Sequence, residues 1–252
     1  SSLTACLVLF LVLVLERKLA LILTYSRREY LRSAFLGFLN PYLYYMILFN
    51  AYLLLPAQEA QPTNQLWAIV LSILSVGLLK QSFKISNFIA LIISLSGVLV
   101  ISTQGDLLGL NFTDPLGVVL ALSTTVIWAL FWIYNLTDDR DETVKLFLNF
   151  SFGSLYTLLS LFLTSTIVSV NLPGLVGAIY VGLFEMGLPF LFWLRALQTS
   201  STTVQVSMLV HLVPFLSLIV IYFTVGEPIL PSTLIGLLII IAGILFQQRV
   251  KI

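Results

Sequence analysis

Long apolar runs separated by short polar connections dominate this chain. They predict membrane-spanning helices near 3–23, 31–54, 61–79, 86–102, 115–136, 143–168, 173–197, 203–225 and 231–248. A helix needs roughly 20 mostly apolar residues to cross about 30 Å of hydrocarbon. These nine spans take up most of the 252 residues and leave no room for a soluble domain. The connections alternate between basic and cation-free. Arg17, Lys18, Arg27, Arg28 and Arg32 follow the first span, Lys80 and Lys84 the third, and Arg140 and Lys145 the fifth. Arg195 closes the seventh, and Arg249 and Lys251 follow the ninth. The connections around Glu59, at Asp106–Asp114, at Asn171 and at Gly226–Glu227 carry no cation. All twelve Lys and Arg residues therefore fall on one side of the plan. Short basic connections stay cytoplasmic, so the pattern orients every span and places the C-terminus inside.

Composition agrees. The chain is 59% hydrophobic and 9% charged, with a mean hydropathy of +1.06; soluble domains carry about 25% charged residues. The expectation is an integral membrane protein, with a bacterial inner membrane as its location and the lipid bilayer as its surroundings. A net charge of +1 without a basic patch argues against nucleic acid as a partner. One cysteine, Cys6, excludes an intrachain disulfide and a cysteine-built metal site. No cofactor or metal motif is present: there is no Gly-rich phosphate loop and no His-Glu-x-x-His. Asn111-Phe112-Thr113 matches a glycosylation triplet, a pattern that chance also supplies.

The halves of the chain resemble each other. Lys80–Ser86 lies over Gly226–Ser232, after which Asn87–Gly97 aligns with Thr233–Gly243. Upstream, Ala51–Ala57 falls over Ala196–Thr202, one residue out of step. Repeats of 1–105 and 106–252 follow, with four spans in the first and five in the second. An odd number of spans per repeat inverts one half in the membrane, an arrangement that many secondary transporters use. Orientation puts Ser1 outside, and the apolar run Leu3–Leu15 is interrupted by Glu16-Arg17-Lys18. Both features lead to the expectation of a further helix before Ser1, the tenth of the plan.

Residues Pro56-Ala57-Gln58-Glu59-Ala60, Asn64-Gln65-Leu66-Trp67 and Gly97–Val100 resemble the EamA-type repeat of the drug/metabolite transporter superfamily. So do Phe192–Leu197, Pro214, Gly226-Glu227 and Ala242–Leu245. The resemblance implies an all-α polytopic fold of ten helices in two inverted five-helix repeats, with a central cavity lined by the first four helices of each. It also implies export of small metabolites, amino acids or related amphipathic compounds foremost. Ala68 stands where a proline commonly follows the tryptophan.

Candidate chemistry comes from polar groups within apolar spans. Glu185 lies in the middle of the seventh span, where a charge costs about 2.5–3.5 kcal/mol on insertion scales. It either pairs with a substrate ammonium, carries a coupling proton, or is satisfied by a neighbouring helix. The repeat alignment sets Asn40 opposite Glu185, and His211, the only histidine, opposite Gln65. Pro41, Pro189 and Pro214 interrupt spans and free the carbonyls of Gly37, Glu185 and Val210. Tyr44, Tyr45, Trp67, Trp128, Trp132 and Trp193 lie within spans, and Asn64 and Trp67 are spaced to share a helix face. The expected substrate site is Asn40, Tyr44, Asn64, Trp67, Glu185, Trp193 and His211. Amides would bind a small molecule's polar head and rings its apolar part, or the rings pack the bundle. The rival readings are a membrane-embedded enzyme, a non-transporting scaffold, and an ion or magnesium carrier. The last would need several carboxylates facing one cavity, and only Glu185 qualifies.

Overall fold

The computed structural model describes residues 1–78, 85–109, 112–164, 171–199 and 213–249, and these are helical with short connections. The elements are α1 (Ser2–Leu15), α2 (Leu19–Ile22), α3 (Arg27–Gly37), a π-helical segment Phe38–Leu43, α4 (Tyr44–Leu54), α5 (Ala57–Asn64), α6 (Trp67–Leu78) and α7 (Ile85–Ser102). They continue with α8 (Pro115–Leu136), α9 (Glu142–Leu163), α10 (Leu172–Val181), a second π-helical segment Gly182–Gly187, α11 (Leu188–Thr199), α12 (Val213–Thr224) and α13 (Pro231–Arg249). Among the described residues, Pro115–Leu136, Glu142–Leu163 and Leu172–Trp193 are long and apolar enough to cross a membrane.

The predicted spans differ from these helices in instructive ways. The run 3–23 is not one helix. It breaks at Glu16-Arg17-Lys18, where Arg17 takes a positive φ of 57°. Polar partners hold the break open: Lys18 Nζ pairs with Glu16 at 2.9 Å and Asp141 at 2.8 Å, and Thr143 Oγ1 donates to Glu16 Oε2 at 3.0 Å. The run 61–79 also divides. Gln65 and Leu66 donate to the carbonyls three residues back, those of Pro62 and Thr63, so α5 ends in a tight turn before α6 begins. Asn64 and Trp67 therefore do not share one continuous helix face. The expected span 203–225 is described only from Val213.

Local signals set the helix starts. Ser26 and Glu29 form a capping box at α3, with Ser26 N–H donating to Glu29 Oε2 at 2.6 Å. Asp141 caps α9 through the N–H groups of Thr143 and Val144, and Asn171 caps α10 through that of Gly174.

By contacts the chain forms two compact units, Ser1–Tyr45 with Tyr134–Val206, and Met46–Ile133 with Ser207–Ile252. The repeats expected from the sequence, 1–105 and 106–252, divide the chain differently: unit 1 takes one segment from each, whereas unit 2 takes 46–105 from the first and 106–133 and 207–252 from the second. In unit 1, α1 buries Ala5, Leu9 and Leu13, spaced four apart along one stripe. Leu13 packs on Val144 and Leu148 of α9, and the Phe150 and Phe190 rings meet edge to face at 5.6 Å. In unit 2, Ala90, Val98 and Ile101 of α7 pack with Ile240 and Ile244 of α13.

Small residues let backbones touch in both units, and the contacts are reciprocal. In unit 2 a Cβ on Gly97 would stand 2.6 Å from Gly236 O, and one on Gly243 would stand 2.9 Å from Ala90 O. An offset of 146 residues, that of the sequence repeat, turns the pair 97 and 236 into 243 and 90. In unit 1 a Cβ on Gly37 would collide with Asn149 O, and one on Gly182 with the Thr4 side chain. An offset of 145 turns the pair 37 and 149 into 182 and 4. Equivalent helices thus pack on one another with the exchange of partners that a twofold relation gives. Gly97→Val is expected to cost about 1–3 kcal/mol by overpacking, because carbonyl backbone cannot move aside as a side chain does. Thermal unfolding of the purified variant in detergent measures it. Unchanged stability would mean that the α7–α13 contact is loose.

Candidate functional site

The two π-helical segments carry the most unusual backbone. In each an N–H reaches five residues back: Tyr44 N–H donates to Leu39 O across a kink between two helices, and Leu188 N–H to Leu183 O within a widened turn. These bonds lie 144 residues apart, so both halves depart from the regular α-helix at the same place. Counted from the segments, Pro41 rather than Asn40 stands opposite Glu185, one residue out of step with the sequence alignment. In the first segment the cause is Pro41. Its ring disfavours helical backbone at the residue before it, and Asn40 is extended at φ −150°, ψ 122°. The second segment ends two residues before Pro189, which also lacks an N–H. π-Segments within α-helices occur frequently at functional sites.

The structure sorts the expected site residues by unit. In unit 1, Asn40 is fully buried, and neither its Oδ1 nor its Nδ2 has a partner among the described residues. Such an amide costs free energy unless something binds it. Tyr44 is buried with its ring 4.9 Å from that of Tyr45, edge to face. Tyr45 O–H donates to Glu185 Oε1 at 3.0 Å, which fixes the carboxyl within the widened turn. Trp193 lies half-buried on α11. In unit 2, Asn64 ends α5 and Trp67 begins α6. Trp67 stands 6.5 Å from Trp128, which in turn touches Phe131 and Trp132 to form an aromatic cluster. His211 lies outside the described residues. The structure therefore brings Asn40, Tyr44, Glu185 and Trp193 into one unit and Asn64 and Trp67 into the other.

Tyr45 is the site residue that sequence reasoning missed. Its signal was present, since it lies one turn beyond Pro41 and beside Tyr44, but nothing in the sequence pairs it with Glu185. None of the expected residues that the structure describes lines the open apolar groove of about 440 Å³ in unit 2, which Tyr52, Gln61, Val213, Leu216 and Val220 border. No group of three or more His, Cys, Asp or Glu side chains capable of holding a metal occurs among the described residues.

Two polar networks were also hidden in the sequence. Arg140 and Lys145, which read there as markers of a cytoplasmic connection, are buried. Arg140 Nη2 donates to Asp138 Oδ2 at 2.6 Å and Nε to Oδ1 at 2.9 Å, while Lys145 Nζ donates to Asp138 O at 2.8 Å. Arg140 Nη1 reaches Glu29 O at 3.0 Å, and Arg32 Nε approaches Asp138 Oδ2 at 3.4 Å. Burial pushes the Asp138 carboxyl up, but the bonds and charge of Arg140 outweigh it and hold the group below its ordinary value.

In unit 2 the two stretches that carry the sequence motifs bind each other. Glu227 accepts from Ala57 N–H at 3.1 Å and Gln58 N–H at 3.2 Å, capping α5 from a distant part of the chain. Gln58 donates to Pro228 O at 2.9 Å and accepts from Leu230 N–H at 3.1 Å and Thr233 O–H at 3.0 Å. Pro56–Ala60 and Gly226–Glu227 are thus two faces of one joint.

Comparison with known proteins gives the family. The model of the EamA-like transporter family matches residues 1–103 and again 115–247. The uncharacterized transporter YvbV of Bacillus subtilis (strain 168) is 28% identical over 170 residues, which are 66% of this chain and 54% of that protein. An uncharacterized transporter of Clostridium kluyveri is 26% identical over 173 residues, 66% of this chain and 55% of its own. YyaM of Bacillus subtilis, also named an uncharacterized transporter, is 26% identical over 213 residues, 80% of this chain and 69% of its own. The matches therefore span about half the length of the first two relatives. A protein crystal structure shares the fold at a TM-score of 0.66 and 18% identity, over 99% of this chain and 86% of that one. With family matches over both halves and apolar helices long enough to cross a bilayer, the chain is an integral membrane protein and belongs to the EamA-like transporter family.

Proposed function

We propose that the protein is a secondary transporter that exports small metabolites, amino acids or related amphipathic compounds foremost, by alternating access between two inverted repeats. The observation that carries this reading is the pair of helix interruptions, a kink at Asn40–Pro41 and a widened turn at Gly182–Gly187, each within an apolar helix and holding a polar group. Irregular backbone at membrane depth is tolerated where it is buried in protein or lines a watery cavity. Discontinuous helices at repeat-related positions are the usual construction of midplane substrate sites in secondary transporters. Asn40 supplies an unpaired amide and Glu185 a carboxyl held by one tyrosine. The reciprocal contacts in each unit support a twofold between the repeats. The transporter names of the relatives support the class of activity.

In this reading Asn40 binds the polar head of the substrate, while Tyr44 and Trp193 pack its apolar part. Glu185 carries a coupling proton or meets a substrate ammonium. The protein lies in a bacterial inner membrane with its C-terminus in the cytoplasm. The purified protein reconstituted into liposomes with a panel of labelled amino acids tests the activity. Movement of one or more solutes down an imposed gradient is expected. If none moves in either orientation, the scaffold reading takes its place.

A further inference from the structure

Glu59 lies on α5 in unit 2, 1% exposed. Its Oε1 accepts from Thr113 O–H at 2.9 Å and from Gln104 Nε2 at 3.5 Å, and Gln104 Nε2 also reaches Thr113 Oγ1 at 3.3 Å. Thr113 N–H donates to Ser102 O at 3.0 Å. Glu59 Oε2 and Ser102 Oγ are both buried with no hydrogen-bond partner among the described residues. Among those residues no basic side chain pairs with Glu59; the ion pairs involve Glu16, Asp138 and Asp141.

A buried carboxylate without a cation is costly, so such a group is neutralised or paired. Here the surroundings are oxygens and one amide. We propose that Glu59, Thr113, Gln104 and Ser102 form a monovalent-cation site in unit 2, taken by Na⁺ and contested by H⁺. One carboxylate balances one positive charge, and the hydroxyl oxygens of Thr113 and Ser102, with the Gln104 amide turned over to present its oxygen, would complete a hard, neutral shell. A divalent ion would draw on more carboxylates, and the only other one acting on Glu59 is Glu227, which is held by the N–H groups of Ala57 and Gln58. Thr63, one turn along α5, contributes no charge and donates to Glu59 O at 2.8 Å. Burial raises the affinity of Glu59 for a proton, with Thr113 and Gln104 opposing and Glu227 adding to it. The proton therefore competes above the ordinary carboxylate range.

The site lies within unit 2 and does not depend on transport, so a liposome assay that fails leaves it standing. The test is binding of ²²Na⁺ to the purified full chain in detergent, at alkaline and at acidic pH, with N-methylglucamine chloride keeping ionic strength constant. Saturable binding at alkaline pH that disappears at acidic pH is expected. Glu59→Gln should weaken it by at least about tenfold, and Thr113→Val, which keeps the carboxyl, should weaken it less. Thermal unfolding should show Na⁺ stabilising the wild type at alkaline pH and leaving Glu59→Gln unmoved. Absence of saturable Na⁺ binding by the wild type at alkaline pH overturns the proposal. So does binding that is the same in a folded Glu59→Gln or Thr113→Val protein.

Discussion

Glu185→Gln is expected to abolish accumulation driven by a pH gradient in proteoliposomes while exchange of solute across the membrane continues. The argument is geometric. Glutamine retains an oxygen that can accept the Tyr45 hydroxyl, 3.0 Å away in the wild type, so the widened turn keeps its tie. What the substitution removes is the ability to bind and release a proton. If Glu185 serves instead to hold a substrate ammonium, both modes should weaken together. The loss would then be about 1.5–3 kcal/mol, the worth of a hydrogen bond to a charged group. Tyr45→Phe separates the two further, since it removes the tie but leaves the carboxyl, and costs about 0.5–1.5 kcal/mol. Transport that Glu185→Gln leaves untouched in both assays would make this carboxyl a packing group and remove the centre of the proposed site.

Asp138→Ala is expected to destabilise the protein by about 3–5 kcal/mol, because it leaves the buried Arg140 guanidinium without its carboxylate. The side chains of Asp138 and Arg140 are only 3% and 5% exposed, so water cannot replace the lost partner. The same pair predicts an acid limit. Arg140 holds the Asp138 carboxyl below its unfolded value, so its stabilisation is complete above the ordinary Asp range and is lost as pH falls through the lowered value. Unfolding of wild type and variant in detergent across acidic pH measures both effects. The wild type should lose stability on acidification, whereas Asp138→Ala should show a shallower dependence. Equal stability at neutral pH would place the pair among the screened surface bridges that contribute about 0–1 kcal/mol.

Hydrophobic run length and the placement of cations are properties of short segments, and they were legible without coordinates. So was the repeat, because polar punctuation such as Gly97 and Gly243 survives in two copies, and those glycines prove to be where α7 and α13 touch. Glu185 and Asn40 stood out because a polar group among apolar neighbours is conspicuous, and the prolines beside them marked interrupted backbone. Pairing between distant segments was not legible. Nothing in the sequence sets Tyr45 against Glu185, Glu227 against the start of α5, or Asp138 against Arg32, since each depends on how helices from opposite halves pack.

The same reason explains the breaks within predicted spans. A run such as 3–23 averages as apolar, yet Glu16 and Lys18 find partners at Thr143 and Asp141 on a remote helix start. Those bonds outweigh continuation of the helix. Gln65 and Leu66 turn the chain where α5, anchored by Glu227, meets the apolar run of α6. The sequence alone thus determined the class, the helical content and the repeat. The tertiary structure decided which polar residues meet, because hydrogen bonds and close backbone contacts act over about 3–4 Å and join residues more than a hundred positions apart.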